Sequence, residues 1–410
     1  MKSRFCLVCL LALFAHCRAQ DETQFKLSGF ADTYHALRSS KPWNFLSSRT
    51  RLRTELDVSR GNSSLFASMN AMYNGIIEDQ TGIELREAYF DFSSKHWNIR
   101  AGKQIVIWGV SDGLRITDVV SPMDMTEFLA RDYDDIRIPV NALKVGYSNT
   151  FLRSELIFIP SSSYYILPVS SQHPWSLFPP IDPLVYEVDL EQYPEKTLKN
   201  SEFGGRISFF LSGLDFSLSA LHTWNKMPVF QYSILPRSDT IYADGLYKRM
   251  DMLGMDFSFP LWQFVIRAEA AAYLNEVQTS QPAFWNETIR RNTANLLLGL
   301  DWYPGKDWTL SAQYTYKYIP DHVDGIMAEE NPSLGTMGIT KKLLRSTLGL
   351  SVFGYVDLNN QGFFMRGSAD YSLTDQIHLL AGYDWFDGDK GLFALYKKNS
   401  EIWIKAKYSF

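Results

Sequence analysis

Six acids crowd one stretch of this chain: Asp118, Asp124, Glu127, Asp132, Asp134 and Asp135, with Arg115, Arg131 and Arg137 among them. Nearer the N-terminus, Arg49, Arg51 and Arg53 alternate with Thr50, Leu52 and Thr54, and Arg86 and Arg100 follow. Side chains alternate across a strand, so the first three arginines share one face. An acidic loop folded against such a basic wall sets a transverse field across a constriction. That field orients polar solutes and selects among them by charge. The competing arrangement pairs these arginines with Glu55, Asp57 and their neighbours and neutralises a packed lumen. Arg153 with Glu155, and Arg267 with Glu269, have the spacing of such neutral lining. Asp132, Asp134 and Asp135 carry oxygens of the kind calcium takes, but a bare acidic turn is better explained by solvation.

Bond-breaking chemistry has little to stand on. No HExxH surrounds His35, His96, His173, His222, His322 or His378. His222 falls among outward apolar residues and His378 on a polar strand face. Neither has a serine and an acid beside it in sequence, although triads assemble in space. The expectation is no enzyme, no catalytic residue, no metal and no cofactor.

These residues need a scaffold, and the stretch from Asn98 to Val140 shows its outline. Trp97, Ile99, Ala101, Ile105 and Ile107 take one face of a strand, and Arg100, Gly102 and Gln104 the other. The chain then runs for about thirty residues without alternation, a length that usually marks a functional loop. Within it, Ser121-Pro122-Met123-Asp124 predicts a helix start, with Ser121 as N-cap and Asp124 as the capping acid. Met125, Phe128 and Leu129 would be its apolar stripe.

Alternation is cleanest over 49–59 and recurs near 24–37, 64–73, 84–93, 97–107, 140–148, 151–159, 203–212 and 214–224. It continues near 249–259, 262–274, 293–303, 307–318, 343–355, 361–373, 376–386 and 402–410. Each run has roughly the ten-residue length of a tilted membrane strand. Connections alternate as well. Short ones fall at Gly61-Asn62, Ser93 to Lys95, Asn149-Thr150, Ser212-Gly213, Pro260 and Pro304 to Lys306. Long ones fall at 108–139, 160–202, 225–248, 275–291 and 319–342. Short periplasmic turns and long extracellular loops are the pattern of a transmembrane antiparallel β-barrel. Lipid offers backbone groups no partner, so such a sheet must close. Seventeen segments is an odd count, whereas bacterial single-chain barrels are even. The expectation is therefore sixteen or eighteen strands, with 319–375 the ambiguous region. Trp97, Trp262, Trp302, Tyr303 and Trp308 flank short turns, as an aromatic girdle at one membrane interface would. Loop 160–202, with Tyr164, Tyr165, Trp175 and Phe178, suits a self-packed cap over the mouth better than a lid or ligand platform.

Residues 1–19 read as a secretory signal peptide: Lys2 and Arg4, an apolar run from Phe5 to Phe14, then Cys17-Arg18-Ala19 before the cut. Residues 20–410 are then one barrel domain. Cys6, Cys9 and Cys17 all leave with the signal, so the mature chain has no thiol and no disulfide framework. It keeps 37 basic against 45 acidic residues, a net charge of −8, which argues against a nucleic-acid partner. No later apolar run reaches the length of a membrane helix.

The runs from Arg86 to Phe92 and from Arg100 to Gly109, then Asp118 to Asp124 and Arg137-Ile138-Pro139-Val140, resemble a little-characterised family of Gram-negative outer-membrane barrels. That family lies near the porin-like alginate-export barrels. The resemblance is best over 84–160 and at the C-terminus. It implies a porin-like outer-membrane channel or facilitator for small solutes or lipid-like compounds. The alternative it leaves is a plugged lipid-handling or ligand-binding barrel without an open pore; a barrel hydrolase is the least favoured. Counted from a periplasmic N-terminus, the acidic stretch is the third surface loop, which folds inward in general porins. This would make Arg49, Arg51, Arg53, Arg86 and Arg100 pore-lining. It would make Asp118, Asp124, Glu127, Asp132, Asp134 and Asp135 the constriction loop. Ile402, Ile404, Ala406, Tyr408 and Phe410 share one face of the last strand, which resembles the terminal strand that outer-membrane assembly machinery recognises. Outer-membrane lipid, lipopolysaccharide and that machinery, acting through Phe410, are the implied partners, with a homotrimer the compatible assembly.

Overall fold

A computed structural model describes residues 22–133, 135–179, 182–234, 239–280 and 289–410. The signal peptide and Asp134 lie outside the described residues. Eighteen strands form one antiparallel sheet. The first seven are β1 (Gln24–Arg38), β2 (Phe45–Arg60), β3 (Ser63–Asn74), β4 (Gly82–Ser93), β5 (Trp97–Gln104), β6 (Val140–Ser148) and β7 (Leu152–Ser161). After β8 (Val185–Asp189) come β9 (Glu202–Leu211) and β10 (Leu214–Trp224). After β11 (Val229–Ile234) and β12 (Thr240–Leu246) come β13 (Arg249–Leu261), β14 (Phe264–Gln278), β15 (Ile289–Gly305), β16 (Trp308–Tyr318) and β17 (Ser333–Leu343). The last four are β18 (Leu348–Asp357), β19 (Phe363–Ser372), β20 (Ile377–Asp387) and β21 (Glu401–Ser409). Strand β21 pairs back onto β1, with Gly29 and Phe410 exchanging both backbone hydrogen bonds at 3.0 Å. The sheet has no free edge and is a barrel. Strands β8, β11 and β12 stand apart as a three-stranded sheet built by the long loops.

Alternation decides inside from outside. On β2, Arg49, Arg51 and Arg53 are all buried, whereas Leu52 and Leu56 between them are exposed on the outer surface. Leu296, Leu298 and Leu300 do the same on β15, against buried Asn295, Leu297 and Asp301. The aromatics expected beside short turns are exposed there: Trp97, Trp302, Tyr303, Trp308 and, at 94%, Trp262.

Eighteen strands agrees with the sixteen or eighteen expected, and three finer expectations need correction. The region 319–375 hides an extra strand: the long loop is only 319–332, and β17 turns at 344–347 into β18, giving eighteen strands instead of seventeen. Gly335 and Gly338 blank out its alternation. The tight turn after β13 is at Trp262-Gln263 instead of Pro260, because Leu261 pairs with Phe264. Trp262 takes φ 54 there, so it belongs to the turn and not to β14. The segment 121–130 contains no helix: Met123 bridges to Arg137 and Asp124 to Ile166. The Asp124 and Met125 amides donate across the loop to Ile136 O and Ile166 O, the Met123 carbonyl accepts from Ile166 N, and Phe128 at φ 45 breaks any helical run. Strand β4 also carries a bulge, since Ser68 pairs with Glu87 and Met69 with Leu85, leaving Arg86 as the additional lumen residue.

Candidate functional site in the lumen

After Gln104 the chain leaves the wall and crosses the barrel. Its amides lose the strand ladder and take side-chain acceptors instead, as buried N–H groups must. Ile105 N donates to Glu87 at 2.8 Å, Val106 N to Ser121 Oγ at 3.0 Å and Trp108 N to Asp118 Oδ1 at 3.0 Å. On the far wall, Glu269 of β14 accepts four hydrogen bonds from this loop. They come from Val110 N at 2.7 Å, Ser111 N at 2.8 Å, Thr117 N at 3.0 Å and Thr117 Oγ1 at 2.9 Å. Only glycine fits at the approach. Gly109 has φ 97, and a Cβ there would lie 2.9 Å from Glu269 Oε1.

From that anchor the loop touches the wall in many directions. Gln313 of β16 donates to the Asp112 carbonyl at 3.1 Å, Tyr355 of β18 to Gly113 O at 2.8 Å and Tyr273 of β14 to Ile116 O at 2.7 Å. Arg366 of β19 holds Leu129 O at 3.0 Å, and Lys405 of β21 holds Asp132 at 2.7 Å. Beneath these contacts lies an apolar cluster inside the barrel. Val106, Trp108, Leu114, Ile116, Val120 and Phe128 of the loop pack on Leu46, Met252, Leu297, Phe364 and Phe386 of the wall. Trp175 joins them from the next long loop, its ring 5.7 Å from Phe386 and 5.5 Å from Tyr396. The described part of the 162–201 loop packs on its neighbours instead of mainly on itself: Met125 N of the crossing loop donates to Ile166 O at 2.8 Å, and β8 pairs with β12 of the following long loop.

The acids and arginines singled out in the sequence meet by contact, not across a gap. Glu127 is fully buried and pairs with Arg49. Asp135 pairs with Arg51 at 2.6 Å and Arg53 at 3.0 Å, while Asp32, opposite Arg51 in register, takes its other side at 2.7 Å. Arg86 donates to the Asp135 carbonyl at 3.1 Å. Arg100 faces the lumen but pairs with Asp91 at 2.7 Å, away from the crossing loop. Asp118 pairs with Arg137 and ties the two ends of the loop together; Asp124 pairs with Arg131 and caps Thr126. Burial alone would raise the Asp135 carboxyl, yet Arg51 and Arg53 hold it well below the usual carboxylate range. Asp132 is lowered too, burial being outweighed by Lys405. Both are paired with cations. Among the described residues no group of three metal-ligating side chains converges.

Several partners differ from those expected. Glu55 and Asp57 are not the partners of Arg49, Arg51 and Arg53. Glu155 pairs with Lys144 at 3.2 Å and accepts Trp108 Nε1, not Arg153. Arg267 pairs with Asp301 and Asp112, which frees Glu269 for the loop. Glu269 was the functional residue hardest to see, because its spacing from Arg267 reads as neutral lumen lining. His378 meets both Asp370 at 3.0 Å and Ser372 at 3.4 Å through Nδ1, so it does not bridge them through two nitrogens as a triad requires.

The crossing loop divides the lumen. Toward the short turns lies a cavity of about 540 Å³, between Trp108 and Val110 on the loop and Lys144, Arg153, Arg206 and Asp256 on the wall. Toward the long loops lies one of about 480 Å³, between Arg131, Arg137 and Pro139 on the loop and Arg51, Met72 and Arg86 on the wall.

A family model described as "Protein of unknown function (DUF1302)" matches residues 15–394. No curated protein matches the chain. Similar solved structures include the trimer form of OmpT, an outer membrane protein of Vibrio cholerae, at 9% identity and TM-score 0.48, covering 95% of this chain and 100% of that one. The outer membrane channel DcaP of Acinetobacter baumannii is 11% identical at TM-score 0.46, covering 95% and 97%. An anion-selective porin from Comamonas acidovorans is 12% identical at TM-score 0.45, covering 95% and 100%.

Proposed function

The chain belongs to the DUF1302 family, and from that premise we propose that it is a porin-like facilitator of the Gram-negative outer membrane. In this reading it passes small solutes or lipid-like compounds, and residues 105–139 are its constriction. One observation carries the proposal: a loop that crosses a closed barrel, is held to the wall by side-chain contacts and separates two vestibules. Arg49, Arg51, Arg53 and Arg86 form the wall against which it rests, and Glu127 and Asp135 complete the seal. The apolar cluster beneath the loop also supports a second reading, a plugged ligand-binding barrel that never conducts. Kinship with alginate-export barrels, a homotrimer, lipopolysaccharide contacts and recognition through Phe410 belong to this proposal, not to the family assignment.

Conductance of purified protein in planar bilayers separates the two readings. The facilitator predicts brief, small openings, and large steady ones once residues 112–133 are replaced by a short glycine-serine linker. A shortened variant that folds and still stays silent would sink the channel reading and leave the plugged barrel.

A further inference from the structure

The vestibule on the long-loop side has a lining that points to a ligand class. One part of it is apolar: Ile77, Ile138, Ile166, Leu167 and Val169. The other is a set of nitrogen donors: the guanidinium groups of Arg51, Arg86, Arg131 and Arg137, the Gln80 amide and the His173 ring. Buried N–H groups normally find acceptors. Yet Arg137 Nε, Gln80 Nε2 and His173 Nε2 are buried and lack a hydrogen-bond partner. His173 Nδ1 accepts from Trp175 N at 3.0 Å, so Nε2 carries the ring proton and is a donor as well. Burial lowers the pKa of this histidine and keeps it neutral near pH 7. Three unmatched donors therefore belong to one cavity wall. Of the lining acids, Asp124 is held by Arg131, whereas Asp79 and Glu84 are exposed at the rim. A volume of about 480 Å³ lies within the range of small-ligand sites.

We propose that this vestibule binds a monocarboxylate with an apolar body: the carboxylate accepts from the donor set and the aliphatic or aromatic body lies on the isoleucine wall. Geometry favours a carboxylate because guanidinium and amide donors match its two oxygens. The inference deepens the facilitator reading by naming a substrate class. Its measurement does not depend on conduction, since a silent barrel can bind and an open one can fail to.

The test is calorimetric titration of the protein in zwitterionic nanodiscs with octanoate, octanol and inorganic phosphate, each against empty nanodiscs. Saturable octanoate binding is expected, with octanol and phosphate at least tenfold weaker. Gln80→Glu keeps the acceptor for Asn74 Nδ2 and adds a negative charge to the donor set. It should weaken octanoate about tenfold and leave octanol unchanged. Val169→Ser, at a half-buried position of the loop lining, should weaken octanoate through its body alone. Equal binding of octanoate and octanol, phosphate binding as tight as octanoate, indifference to Gln80→Glu, or no saturable heat would each overturn the proposal.

Discussion

Glu269 sets one negative charge against three backbone N–H groups and a hydroxyl of the crossing loop. Glutamine has nearly the same shape but only one accepting oxygen, and its amide would turn N–H toward N–H. A hydrogen bond to a charged acceptor contributes about 1.5–3 kcal/mol, and an orphaned buried donor costs about as much. Glu269→Gln should therefore loosen the loop without unfolding a barrel that holds its own ladder. The expected result is longer openings in single-channel records, with the heat-modifiable gel shift of the folded barrel unchanged; identical records would remove Glu269 as an anchor. Acid should act differently. Asp132 and Asp135 have lowered folded pKa values, so their stabilisation is present above the ordinary carboxylate range, near 3.8, and is lost as pH falls through the depressed values. Channel activity should be flat from pH 8 to 5 and rise only in strong acid. An opening midpoint near pH 6 would contradict the pairing of these two acids.

At the scale of elements, the third loop is organised by packing as much as by charge. Phe128, at φ 45, sets its ring 4.6 Å from Tyr396 and 6.1 Å from Phe386, beside the one-turn helix Gly391–Leu395. Removing a buried phenylalanine side chain costs about 3–5 kcal/mol. Phe128→Ala should free the loop at this end, read as faster trypsin cleavage after Arg131 in the folded barrel; unchanged protection would mean the polar contacts alone suffice. Period-two patterning made the strands and the long-loop end legible, and the acidic stretch readable as a loop facing basic β2. It could not show what the loop touches. The partners of Asp132, Leu129 and Gly113 lie on β21, β19 and β18, more than two hundred residues away. Capping chemistry misled at Ser121 because tertiary bridges at Met123 and Asp124 outweigh a local helix signal. Strand β17 escaped because glycine carries no facing information, and β8, β11 and β12 because short loop strands look like any loop.

The whole molecule poses a problem of two apolar surfaces. A barrel of sixteen to eighteen strands is wide enough to leave an aqueous channel, so a lumen this size stays dry only if something fills it. Here the loop between β5 and β6 fills the middle of the lumen between the two vestibules, and the inner cluster is satisfied within the protein. The outer surface is not: Leu52, Leu143, Leu253, Leu296, Leu298 and Leu350 are exposed around its circumference with no protein over them. In lipid that exposure is stable; in water it is an aggregation surface. The distinction is measurable by depth. An arginine on the lipid face costs about 2–4 kcal/mol at the bilayer midplane and about 0–1 near the interface. Leu298 is central on β15, opposite Ala268 and Tyr314 in register, whereas Trp262 sits in the turn between β13 and β14. Leu298→Arg should lower folding stability in phospholipid vesicles by the midplane amount, and Trp262→Arg by the interfacial amount. The two should converge once lipid is replaced by urea-compatible amphipol. Equal costs in vesicles would place both residues in the same surroundings, and the bilayer could not then be what covers this surface.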